Sequence, residues 1–257
     1  YLITAIIGSG LASSRFRFPD FYSRRIRRIF PALMTMMAAL LPLGWFLLLD
    51  EEYRQLGRHV AGGATFLSNL ILWRESGYFD GPAETKLLLH LWSLAVEEQF
   101  YLLWPALFFL GWRFGWKPVP FLGLLWLASF AGNIYLAGRH PGAAFYWPIS
   151  RFWELLTGAL LAVGPATAEP LRHRHRQGLA LAGLILLAAG LLLINRERVF
   201  PGGWALMPTL GAALLIVAWT VIWGIVGYYL WAYLTWFIGT RLFQGTAEPG
   251  ELLRTLG

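Results

Sequence analysis

The chain has 257 residues, of which 57% are apolar, 16% aromatic and only 14% charged, with a formal charge of +7 and a mean hydropathy of +0.54. A soluble domain carries about 25% charged residues, so this composition excludes a disordered or collagenous chain, speaks against a water-soluble enzyme, and points to an all-α, polytopic membrane bundle. The excess of base sits in short arginine clusters between apolar runs, as cytoplasmic loops do, and implies no nucleic-acid partner; the absence of cysteine excludes disulfides and thiolate metal sites.

A helix needs about 20 apolar residues to cross roughly 30 Å of hydrocarbon, and on that measure the elements follow in order. The chain opens inside an apolar run, YLITAIIG, without the basic lead of a signal sequence, and reads as the second half of a membrane helix. Arg15–Arg28 holds six arginines against Asp20 and is expected to be a cytoplasmic loop. Ile29–Leu49 is an uncharged span with Pro31 in its first turn, where proline is tolerated. Asp50–Lys86, with six acids and four bases, is expected outside. Within it His59–Trp73 is apolar but too short to cross, and reads as one interfacial or re-entrant helix.

Leu87–Trp112 is the next span, followed by a cytoplasmic turn at Arg113–Pro118. Val119–Gly138 leads to an external turn at Arg139–Gly142, and Ala143–Gly164 returns to a cytoplasmic loop, Pro165–Arg176, containing RHRHR. Gly178–Ile194 is Leu-rich, and the uncharged stretch Gly202–Thr240 is close to two bilayers long, so it divides at Gly224–Gly227. The expectation is about seven spans plus the N-terminal remnant, with residues 1–240 forming the membrane domain and 241–257 a tail.

Three constellations carry chemistry. Arg24, Arg25, Arg27 and Arg28 lie where the cytoplasmic loop meets a membrane helix; guanidinium forks suit phosphate oxygens, and the alternative is a topology anchor on acidic membrane lipid. In LLHLWSLAVEEQFYLLWP, His90, Ser93, Glu97 and Tyr101 fall on one helical face, with Glu98 turned elsewhere. A carboxylate in a membrane helix costs roughly 2.5–3.5 kcal/mol and must face protein or water. The structural alternative is an ion pair with Arg151 or another arginine. Arg151 and Glu154, three apart, either neutralise each other or line a polar cavity shared with Glu97. The alternating RHRHR run has no carboxylate partners and reads as a solvated basic loop, not a metal site, and one helix cannot assemble a Ser93–His90–Glu97 triad.

FxxPDFYSRRIRRIFPAL, LLHLWSLAVEEQFYLLWP, SRFWELLTGALLAV and FPGGWALMPTLGAALLIVA occur in that order, and together they resemble the membrane acyltransferase 3 family, the O-antigen acetylase-like proteins of bacterial inner membranes. The resemblance runs from Tyr1 to about Trp219. It implies a multi-pass bundle of about ten helices that moves an acyl group, usually acetyl, from cytoplasmic acetyl-CoA to a sugar hydroxyl of lipopolysaccharide, exopolysaccharide or peptidoglycan. Acetyl-CoA is then a donor substrate, and no permanently bound cofactor or metal is implied. The resemblance assigns Arg25 and Arg28, with Arg24 adjacent, to the acyl-CoA side and Glu97 to the catalytic region. It matches Arg151 and Glu154 to a further motif, with His90, Ser93 and Tyr101 beside Glu97.

Two departures accompany it. The family's essential histidine lies ahead of the segment in which this chain begins, and from Thr220 onwards GYYLWAYLTWFIG only echoes the family's ISYSLYLWHWP. The expectation is a fragment of an O-acyltransferase with little activity of its own. The competing readings are a glycan or lipid transporter, in which intramembrane Glu97, Glu98, Arg151 and Glu154 form a substrate path, and an inactive remnant.

Overall fold

A computed structural model describes residues 1–76, 86–164, 173–195 and 198–218. Among these residues every regular element is helical: α1 (Leu2–Ala12), α2 (Phe18–Leu47), α3 (Asp50–Ala64), α4 (Ser68–Glu75), α5 (Leu91–Arg113), α6 (Pro118–Arg139), α7 (Pro141–Tyr146), α8 (Pro148–Val163) and α9 (His173–Leu193). A 3-10 turn at Gly202–Ala205 leads into α10, residues 206–218. Two of them, α2 and α6, are long and apolar enough to cross a membrane. The expected second half of Gly202–Thr240, the 241–257 tail and part of the Pro165–Arg176 loop lie outside the described residues.

Several boundaries differ from expectation. Helix α2 begins eleven residues before Ile29, so the arginine cluster is helical rather than loop, and Pro31 lies in the helix interior with Pro42. Nothing in SRRIRRIF breaks a helix; an apolar window stops there only because charge lowers hydropathy. Its 30 residues reach roughly 45 Å. The run Ala143–Gly164 is not one span: Trp147 is extended, with ψ 133°, as a residue preceding proline prefers, and Pro148 starts a separate helix of 16 residues. The segment expected as one re-entrant helix is two, α3 and α4, parted at Phe66, which has φ 55°. The end of the RHRHR run opens α9 instead of closing a loop.

The chain divides into two compact units, Tyr1–Val163 with Leu193–Leu206, and Gly164–Leu192 with Met207 onwards. In the first, Ile7 of α1, Phe21 of α2, Trp104 of α5, Leu122 of α6 and Leu156 of α8 close one core. A second joins Leu33 and Met37 of α2, Leu56 of α3 and Leu88 and Leu91 at the head of α5. Gly63 lets α3 come this close, since a Cβ there would lie 2.8 Å from Leu91 Cδ1.

In an apolar medium packing is supplemented by hydrogen bonds between helices. Trp104 Nε1 donates to Thr4 Oγ1 at 2.9 Å, and Trp126 Nε1 to Thr157 Oγ1 at 2.8 Å. The hydroxyl of Ser129 on α6 accepts from the Trp153 N–H at 2.9 Å and donates to the Ile149 carbonyl, pinning α6 to α8. In the second unit α9 and α10 cross at glycines: a Cβ on Gly183 would meet the Gly211 carbonyl at 2.9 Å, and one on Gly211 the Gly183 carbonyl at 3.0 Å.

Candidate active site

The arginine-bearing turns of α2 run against the upper half of α5. Tyr22 OH donates to the Leu102 carbonyl at 2.8 Å, and Phe18 meets Phe109 edge-on at 5.6 Å, so the two helices are antiparallel. One turn beyond Phe21, Arg25 lies with its guanidinium 3.5 Å from the Tyr101 ring centroid and 3.5 Å from Glu98 Oε1. Stacking of this kind is worth about 0.5–2 kcal/mol. Both charges are largely withdrawn from solvent, with side chains 21% and 12% exposed.

This cluster walls a cavity of about 580 Å³, lined among others by Arg24, Arg25 and Arg28 from α2 and by Glu97, Glu98 and Tyr101 from α5. Three arginines against two glutamates leave it an excess of positive charge on a largely apolar background, where a charge attracts its opposite far more strongly than in water. Arg27 does not line it. A second cavity of about 380 Å³ shares Arg25, Glu98 and Tyr101 with the first and is otherwise mostly apolar, with Tyr22, Ile26, Phe30 and Phe66. Beneath it Gln99 and Asn69 exchange amide hydrogen bonds at 2.9 and 3.3 Å, and Gln99 Nε2 also donates to the Phe66 carbonyl at 2.7 Å.

The expected site residues therefore divide. Arg24, Arg25, Arg28, Glu97 and Tyr101 converge on one cavity. Glu98, expected to turn elsewhere, lines it too and takes Arg25 as its ion-pair partner. His90 and Ser93 do not join them. His90 is the N-cap of α5, and Ser93 spends its hydroxyl on the His90 carbonyl at 3.2 Å.

Arg151 and Glu154 do not share the Glu97 cavity. They pair with each other at 3.0 Å within α8, and the Arg151 guanidinium lies 5.5–5.7 Å from the ring centroids of Trp92, Phe145 and Phe200. Sequence reasoning passed over His59, Glu75 and Lys86, which meet in a buried cluster. A histidine in an otherwise apolar run, three residues before a glycine pair, was the available signal. Among the described residues no group of three His, Cys, Asp or Glu is arranged to hold a metal ion.

A family model described as an acyltransferase domain, that of acyltransferase 3, matches residues 1–257. The chain belongs to the acyltransferase 3 family. The match passes well beyond Trp219, where the recognisable motifs stopped, and it decides between enzyme and transporter in favour of an acyltransferase. An uncharacterised protein of Haemophilus influenzae is 32% identical over 84% of this chain and 93% of its own length. A putative peptidoglycan O-acetyltransferase of Bacillus subtilis, YrhL, is 30% identical over 95% of the chain and 40% of its own length. The peptidoglycan O-acetyltransferase OatA of Listeria monocytogenes is 34% identical over 63% of the chain. This chain spans 40% and 27% of these two named relatives. No solved structure matches it.

Proposed function

We propose that this acyltransferase domain works as a multi-pass protein of the bacterial inner membrane and transfers an acyl group, usually acetyl, from cytoplasmic acyl-CoA to a hydroxyl of a cell-envelope glycan. The observation that carries the reading is the cavity in which Arg24 and Arg28 flank an internally paired Arg25–Glu98 beside Glu97. The names of the two relatives, both peptidoglycan O-acetyltransferases, supply the acceptor class.

The transfer forms a bond between the sugar oxygen and the acyl carbon and breaks the thioester C–S bond; the hydroxyl proton ends on the departing CoA sulfur. The arginines divide the labour. Arg25 is committed to Glu98 and Tyr101 and holds the cavity wall, while Arg24 and Arg28, both exposed at its rim, offer their forks to the donor phosphates. Glu97, which lines the same cavity, positions or polarises the group that receives the hydroxyl proton.

The test is Arg24→Ala/Arg28→Ala in the native gene product, reading O-acetyl groups on the envelope glycan against protein level. The expected result is loss of acetylation with normal expression. Full acetylation in the double variant would reduce these arginines to lipid-facing anchors and overturn the donor-site assignment.

A further inference from the structure

The second buried charge cluster belongs to a different part of the fold. Helix α3 opens with Asp50, Glu51 and Glu52 in its first turn, favourable at the positive end of the helix dipole. It then folds back along α2, with Gly44 of α2 against Leu56 of α3 and Gly63 of α3 against Leu91. This reversal carries His59 inward, where it is 3% exposed. Its Nε2 lies 3.1 Å from Glu75 Oε2 at the end of α4, and the same oxygen accepts a hydrogen bond from Lys86 Nζ at 2.9 Å. Nε2 therefore has the Glu75 carboxylate beside it, while Nδ1, buried as well, has no hydrogen-bond partner.

A buried polar group left without a partner costs about 1–3 kcal/mol, and such orphans are few in folded proteins. His59 is not sealed in. It borders a cavity of about 170 Å³, together with Glu52, Gln55, Lys86 and four leucines. Burial pushes the His59 ring below its ordinary range, against the pull of Glu75, and with Nε2 beside Glu75 the ring atom left for a ligand is Nδ1.

We propose that this cavity is a subsite for one neutral, hydroxyl-bearing sugar ring of the acceptor glycan. Its polar lining mixes donors and acceptors: the imidazole, the Gln55 amide, the Glu52 carboxylate, one oxygen of which accepts from the Leu49 N–H, and the Lys86 ammonium, which also donates to Glu75. Glu75 beside Lys86 and Glu52 at the rim leave it without the excess positive charge of the arginine cavity, so it suits alcohols better than phosphates. The leucines supply an apolar surface for the ring's C–H face. Its volume equals the liquid share of about five or six waters, room for one ring and not for a chain.

Its place fits as well. Leu48, on its rim, lies twenty residues beyond Arg28, roughly 30 Å along α2, which is about one hydrocarbon thickness. With the arginines on the cytoplasmic side, as the positive-inside pattern expects, the subsite lies towards the outside, where the glycan is. Binding a ring remote from the reacting hydroxyl supplies the energy that positions it.

The inference rests on the functional reading above. Its test is steady-state kinetics on the purified native protein in detergent, with acetyl-CoA and de-O-acetylated envelope polysaccharide of the host, for His59→Asn and Gln55→Ala. The expected result is a KM for polysaccharide raised about tenfold, equivalent to one lost hydrogen bond of about 1.4 kcal/mol. The KM for acetyl-CoA and its hydrolysis without acceptor should stay unchanged. Gln55 is half-buried and carries no packing core, so its variant decides the matter even where His59→Asn does not fold. An unchanged polysaccharide KM in Gln55→Ala, or an equal loss of transfer and hydrolysis, overturns the subsite. No transfer by the unsubstituted protein, with hydrolysis intact, overturns the functional reading and the subsite with it.

Discussion

Two half-buried arginine–glutamate pairs, Arg25–Glu98 and Arg151–Glu154, carry the same charges and differ in what surrounds them. The second lies on one helix, three residues apart, at 3.0 Å; helical spacing alone brings the partners together, and the aromatic rings of Trp92, Phe145 and Phe200 close around the guanidinium. It borders none of the three cavities described. The first spans α2 and α5 at 3.5 Å and forms part of the wall of two cavities; each pair keeps polar atoms without hydrogen-bond partners, Arg25 Nε and Glu98 Oε1 in one, Arg151 Nη1 and Glu154 Oε1 in the other. A charge inside a membrane helix is costly wherever it sits, so cost alone does not mark a site. The open, cross-helix pair has a cavity beside it with room for a ligand, whereas three aromatic rings stand around the closed pair.

The comparison breaks first at Arg25. Arg25→Ala leaves Glu98 buried without its cation, a loss on the scale of about 3–5 kcal/mol for a buried pair, somewhat less here because both side chains are partly exposed. The folded fraction in detergent should drop steeply and transfer should vanish. Adding Glu98→Gln should bring back folding but not transfer. Recovery of both by the double variant would mean that Arg25 only balances a charge.

Glu97 sharpens the same contrast, because it lines the cavity with no ion-pair partner among the described residues. Glu97→Gln should lower kcat by about 100-fold, within the usual range for a group that assists proton transfer, at unchanged thermal midpoint. Glu98→Gln should act the other way, moving the midpoint more than kcat. Equal and small effects of both on kcat would remove α5 from the chemistry.

The smallest net effect is expected for removing both charges of the closed pair. Arg151→Met alone should destabilise by about 3 kcal/mol, whereas Arg151→Met/Glu154→Leu should lie near the parent, since apolar residues of similar volume replace a buried pair at little cost. Most transfer activity should survive in the double variant. A well-folded but inactive double variant would show that α8 contributes more than packing.

Much of this was legible beforehand, and the failures have physical causes. Val119–Gly138 against the observed Pro118–Arg139 was read to within one residue at each end, because a proline start and charged flanks bound an unbroken apolar run. That Glu97 and Tyr101 share a face followed from helical spacing; that this face meets Arg24 and Arg28 of α2 did not. The start of α2 was misjudged because hydropathy reports where a segment is apolar, and arginine is a good helix former. His90 fell outside the site because a shared helical face fixes direction and not depth, and it lies seven residues before Glu97, roughly 10 Å along the axis.

Composition by itself determined that this is an apolar, helical chain, since bilayer thickness sets the length of its apolar runs, and the order of its motifs gave the resemblance to the acyltransferase 3 family. Which charge meets which was decided only in three dimensions. Glu98 and not Glu97 takes Arg25, because α2 runs antiparallel to α5 at one particular register. His59, Glu75 and Lys86, separated by 16 and 11 residues, meet because the chain reverses twice, once after Leu47 and again at Phe66. No local pattern encodes such a meeting, because each of the three is held by a different segment and only the packing of α3 and α4 beside α5 sets the distances among them.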